Sequence, residues 1–254
     1  MKKIRPIFLI LLLLIVSCSD DNDDKVSQAN ITFNFNHNWD ETPVTNTDFN
    51  TIQFTNANGE QMSITKLRYL ISNITFTSTN RERLVLAGYS LVDLTNATNL
   101  SFTSLTNIPI GKYNNVSFTF GFNNDHNYNN YTDLNSASWN VPEMLGGGYH
   151  YMQLEGKFID NTSTETGYAY HAIRAVDNSK TPLEFQDTFF EVNLGEVTIT
   201  NNTVFNIEMN IAEWFKTPNT WNLNVLNNML MPNFNAQVMM FENGQDVFSL
   251  ESVN

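Results

Sequence analysis

Four histidines hold most of the chemical potential of this 254-residue sequence: His37, His126, His150 and His171. A neutral imidazole is a ligand for copper, zinc, iron or nickel. In Phe33-Asn-Phe-Asn-His37 the alternation puts His37 on the face of Phe33 and Phe35. The same period-two reading groups His150 with Met152 and Leu154, and His171 with Ala169 and Ile173. Three imidazoles are thereby expected on core-side faces, two of them near strand ends, where ligands borne by separate strands can converge on one metal ion. A single inward histidine is more often a hydrogen-bonded core residue than a ligand, but three among four are harder to explain that way. His37, His150 and His171 are the candidate metal ligands. His126, in the polar turn Asn124-Asp-His-Asn127, ranks fourth.

The neighbouring donors narrow the chemistry only partly. No HExxH, no CxxC and no close histidine pair is present, so nothing local selects zinc. Met144 and Met152 bracket His150, and a thioether would favour Cu(I); each taken singly is better explained as core filler or a loop contact. Glu143 and Glu155 are near in sequence, Glu155 on the strand face opposite His150. A metal enzyme would need an open coordination position and a general acid or base. Glu143 or Asp125 offers the latter, but no nucleophile, oxyanion turn or phosphate loop is visible. No catalytic residue is assigned, and the chain is read as non-enzymatic.

The elements that must position these residues read as strands. Residues 31–37, 84–93, 116–122, 149–158, 168–173, 188–193 and 203–210 are apolar, alternating or rich in β-branched and aromatic residues. Residues 61–76 form either one long strand or a helical turn entering a strand. Residues 123–148 read as one long loop, 211–216 as a short helix, and the tail 236–250 as less regular. Strands separated by Asn and Gly turns, without a sustained helical period, predict an all-β fold. The expectation is a single β-sandwich with Greek-key-like antiparallel sheets and one or two short helices.

The start of the chain speaks to its address. Lys2, Lys3 and Arg5 precede ten apolar residues, Ile7 to Val16, and then Ser17-Cys18. That order is signal-peptide grammar, and ten apolar residues are too few for a spanning helix. Ile15-Val16-Ser17-Cys18 is similar to a bacterial lipobox, so residues 1–17 are expected to be a lipoprotein signal and Cys18 the lipidated residue. The acidic stretch after it makes residues 18–28 a tether, leaving 29–254 as the folded domain. Cys18 is the sole cysteine, which leaves the domain no disulfide and no thiolate ligand. Removing the signal takes the net charge from −13 to about −16. Such a surface disfavours nucleic acid. An outer-membrane lipoprotein, facing the periplasm or the cell surface, is expected, held through its lipid anchor.

These motifs together resemble the MbnP-like family, in the form of a Bacteroidetes-type lipoprotein. The resemblance runs from Phe33-Asn-Phe-Asn-His37 through Ile64 to Ile74 (ITKLRYLISNI), Ile110-Gly-Lys-Tyr113, Phe118-Thr-Phe-Gly-Phe122, Gly148-Tyr-His-Tyr-Met-Gln-Leu-Glu-Gly156 and Tyr170-His171 to Asp246-Val-Phe-Ser-Leu250. It implies a β-sandwich that holds copper, as Cu(I) or Cu(II), through histidines at positions 37, 150 and 171. In methanotroph relatives a tryptophan oxidised to kynurenine helps bind the metal, and the implied partner is a di-haem cytochrome c peroxidase-like protein. A TonB-dependent importer is a second implied partner. Two departures stand out: Trp139 is near, but not clearly equivalent to, the Trp-x-Trp pair of many relatives, and their His-Leu-Gly is here His171-Ala-Ile173.

The function expected from these features is a copper-binding envelope lipoprotein that captures or buffers the metal. The alternative is a non-enzymatic surface module for nutrients such as glycans or peptides. There Tyr128, Tyr131, Trp139, Tyr149 and Tyr151 in and after the long loop would stack on the ligand.

Overall fold

The computed structural model describes residues 27–254; the expected signal peptide, Cys18 and nearly all of the expected tether lie outside them. Its spine is one strand of 18 residues, Gln61–Ser78, rich in Ile, Thr and Leu. Strands β1 (Thr32–Trp39) and β2 (Gln61–Ser78) are followed by β3 (Gly111–Phe120), β4 (Met152–Ile159), β5 (Glu165–Ala172), β6 (Phe190–Ile199), β7 (Val204–Asn210) and β8 (Phe248–Val253). The larger sheet runs in the order β5-β4-β2-β3-β6, with three short strands also pairing with β2. The smaller runs β8-β7-β1, flanked by the short strands Thr42–Pro43 and Ser101–Thr103. The open choice at residues 61–76 is resolved as strand throughout. β2 pairs first with β4 and then with β3, and Asn73 (φ 50°) lies where the register with β3 shifts.

The two sheets pack as an all-β sandwich. Phe33 and Phe35 of β1 and Phe205 of β7 meet Tyr69, Phe76 and Phe118 of the larger sheet. Ring centroids are 5.1 Å apart for Phe33–Phe205 and 6.0 Å for Phe35–Phe118. Each ring removed from water contributes about 2–3 kcal/mol, so these aromatics dominate the core. Pairing is antiparallel except between β1 and β7, which run parallel.

Two regions carry more structure than their composition suggests. Residues 123–148 contain α1 (Asn124–Asn127), α2 (Thr132–Ser136) and a 3-10 turn at Glu143–Leu145. A separate apolar cluster of Leu70, Phe122, Leu134, Trp139 and Tyr149 pins this segment to the sheet. The tail forms α3 (Phe234–Gly244) and then β8. Three α-helices are therefore present among the described residues, one more than expected. No helix among these residues is long and apolar enough to cross a membrane.

Candidate metal centre

The site forms where the 123–148 segment returns to the sheet. Asn140 and Tyr149 make an antiparallel bridge, and Val141 N–H donates to the Gly148 carbonyl. Gly148 (φ 78°) permits this return: a Cβ there would sit 2.5 Å from Asn127 Nδ2. The bridge brings His150 onto the Trp139 carbonyl, which accepts from the His150 backbone N–H at 2.9 Å and from its Nδ1 at 2.8 Å. β4 starts only at Met152, so His150 lies before the strand and does not follow its alternation.

His150 and His171 are neighbours. Their ring centroids are 5.3 Å apart with the planes at 82°. His171 lies opposite Gln153 in the β4–β5 register, and its Nε2 is 2.8 Å from Glu155 Oε1. Lys66 Nζ contacts the same carboxylate oxygen at 2.8 Å. The hydrogen bond from His171 leads in pulling the Glu155 carboxyl down to about 2, with Lys66 assisting against partial burial. Arg68 lies over the Trp139 ring at 5.0 Å and hydrogen-bonds to the Gln153 side chain and the Ala137 carbonyl.

These contacts assign the tautomers. A carbonyl only accepts, so His150 Nδ1 carries the proton and Nε2 keeps its lone pair. That Nε2 is buried and has no hydrogen-bond partner. Burial pulls the His150 ring down to about 4, so it is neutral at pH 7. For His171, Nε2–H donates to the carboxylate, which leaves Nδ1 as the nitrogen a metal would use. Two imidazoles, one presenting Nε2 and the other Nδ1, each held by an oxygen acceptor, suit an imidazole-binding metal. Two rings sharing one ion through nitrogens at about 2 Å hold their centroids within about 6–7 Å of each other, a limit the observed pair meets. The donor set fits copper, and Cu(I) in particular accepts few ligands.

His37 does not join this pair, and the expected meeting of three histidines does not form. It points into the sandwich, where its Nε2 is 3.1 Å from the hydroxyl of Tyr69. Tyr69 and Arg68 are adjacent on β2 and face opposite sides of the sheet, so one side carries His37 and the other Gln153, His171 and His150. His37 lines a cavity of about 460 Å³ with Glu208 and Glu251. Among the described residues no group of three or more His, Cys, Asp and Glu side chains is placed to hold a metal.

Several other assignments also change. His171 is on the face away from the core, because Tyr168, Tyr170 and Ala172 are the buried residues of β5. Glu155 belongs to the site. Met152 is buried in the core and Met144 is 78% exposed, so neither thioether flanks the pair. His126 lies in α1 beside Phe122. Trp139 stands against His150, with ring centroids 5.7 Å apart, and its own Nε1 is buried without a partner. Sequence reasoning missed Arg68 and Lys66, although two cations at period two in an otherwise apolar strand mark a polar face.

With this geometry established, comparison with known proteins adds two findings. A family model, MbnP, matches residues 28–239. Among solved structures the chain is similar to MbnP from Methylosinus trichosporium, with a TM-score of 0.51 and 12% sequence identity over 78% of this chain and 81% of that one. At that identity the likeness concerns the fold. No curated protein sequence matches the chain.

Proposed function

The chain belongs to the MbnP family, and on that premise we propose that it is a copper-binding protein of the cell envelope that captures or buffers the metal through His150 and His171. The observation that carries this reading is the buried, unpartnered Nε2 of His150 beside a second imidazole whose proton is committed to Glu155. A buried acceptor without a partner costs about 1–3 kcal/mol, and a bound cation removes that cost. Trp139 and Glu155 fix the rings, and the Trp139 indole with Arg68 above it walls the site. Copper is cargo here, so the protein needs no catalytic group and is non-enzymatic.

The signal-like start and Cys18 support a lipoprotein of the outer membrane, facing the periplasm or the cell surface. From that position it would exchange copper with a TonB-dependent importer or a di-haem protein.

Titration with Cu(I) against a competing chelator tests the reading. The wild type should bind about one ion per chain. His150→Ala with His171→Ala should abolish binding while His37→Ala keeps it. A folded double variant that retains full stoichiometry would refute the assignment.

A further inference from the structure

We propose that the face carrying residues 104–107 rests on a lipid surface, with Leu105 entering it; the proposal goes beyond copper binding and rests only on the anchor read at Cys18. These residues join the short strands Ser101–Thr103 and Ile108–Pro109. The Leu105 side chain is fully exposed. A lone exposed leucine means little. This one stands on the wall of a groove of about 450 Å³ that Ile71, Ile74, Leu86, Leu91 and Phe102 also line. The groove opens where the edges of the two sheets part, since Tyr89–Asp93 pairs with β2 of the larger sheet and Ser101–Thr103 with β1 of the smaller. Leu105 and the groove thus form one apolar patch.

The charge of the chain avoids this patch. Of 26 Asp and Glu residues, only Glu82 and Asp93 fall between positions 61 and 124. That stretch supplies every wall of the groove except Asp133, the one charged residue lining it. Asp93 is buried and bonded to the Asn96 side chain, and Asp133 accepts from the Tyr89 hydroxyl. Taking charges out of water is the main cost of bringing a protein face against hydrocarbon. On a chain of net charge −13, a face without free carboxylates is the one that meets lipid with the least loss.

The place where the chain enters the domain selects lipid over a protein partner. Ile110 N–H donates to the Ser27 carbonyl and Ser104 N–H to the Ile31 carbonyl, each at 2.8 Å. Residues 27–31 therefore run beside both ends of the Leu105 loop. Ser27 follows Cys18 by nine residues, which reach at most about 30 Å when extended. An anchor at Cys18 holds this face close to the bilayer. At the effective concentration a tether of that length imposes, one leucine and a small apolar patch are enough to keep contact.

The test uses the mature full chain, purified from its membrane and reconstituted in phosphatidylcholine–phosphatidylethanolamine vesicles. A polarity-sensitive NBD fluorophore is placed on Leu105→Cys or Thr106→Cys, and for comparison on Val225→Cys. Val225 is 71% exposed and lies two residues beyond Leu223, whose N–H donates to Glu60 before the far end of β2. Cys18 is the only other cysteine and would carry the lipid, so each label is unique. Emission at 105 and 106 should shift to the blue and be lost to spin-labelled lipid, while emission at 225 stays that of water. Adding Leu105→Glu to the Thr106→Cys chain should abolish the shift there. A label at 105 as wet as that at 225, or equal shifts at both, overturns the proposal. Mass spectrometry of the N-terminal peptide separates the two failures: an unacylated Cys18 sinks the anchor and this proposal together, whereas a wet label on an acylated chain sinks the proposal alone.

Discussion

The imidazoles of His150 and His171 stand 5.3 Å apart at 82°, the first held by a main-chain carbonyl and the second by a carboxylate. Neither holder is incidental. Each accepts a hydrogen bond from one ring N–H and thereby leaves the other nitrogen to face a cation.

Removing the carboxylate tests that role. Glu155→Ala should lower copper affinity about ten- to hundredfold without changing stoichiometry, because His171 loses its fixed tautomer but not its nitrogen. Glu155→Gln retains an acceptor and should lose less. Competition titration reads both.

Acid lability should trace to the buried histidines. Burial pulls His37 down to about 4 from 6.5, so the unfolded chain takes up its proton first as pH falls. Stability is therefore full above pH 6.5 and declines from there towards pH 4. At pH 5 the loss is about 2 kcal/mol for this one residue. Glu155, held at about 2 from 4.5, adds a further loss below pH 4.5. Urea unfolding at pH 7 and pH 5 should show His37→Leu less stable at pH 7, since the Tyr69 hydroxyl loses its partner, and yet less sensitive to acid than the wild type.

The sandwich should fail at Gly156. A Cβ there would lie 1.9 Å from the Ser63 carbonyl oxygen and 2.7 Å from the Tyr168 ring, in the middle of β4. Backbone cannot retreat cheaply inside a sheet, so Gly156→Ala should cost about 3 kcal/mol or more. The urea midpoint measures it.

Much of this fold was legible in the residues. Alternation in Phe33-Asn-Phe-Asn-His37 placed β1 and its inward face correctly, because that strand has one core face and one polar face. The same rule misplaced His150 and His171. His150 precedes the strand, its side chain aimed by the Gly148 return and the Trp139 carbonyl, neither of which leaves a periodic trace. His171 was set on a core face because Ala169 and Ile173 are apolar, whereas the buried positions of β5 are aromatic: Tyr168 and Tyr170. The 123–148 segment looked like plain loop, since its helices are four and five residues long and are stabilised by one small apolar cluster and not by helical periodicity. The tail helix Phe234–Gly244 was missed because its apolar residues do not keep to one stripe.

Copper K-edge X-ray absorption on the copper-loaded chain tests the central claim most directly, because it counts imidazoles. The wild type should show about two, His150→Ala about one, and His37→Ala the same two as the wild type. Three imidazoles in the wild type with one lost in His37→Ala, or a spectrum that His150→Ala leaves unaltered, would contradict the account.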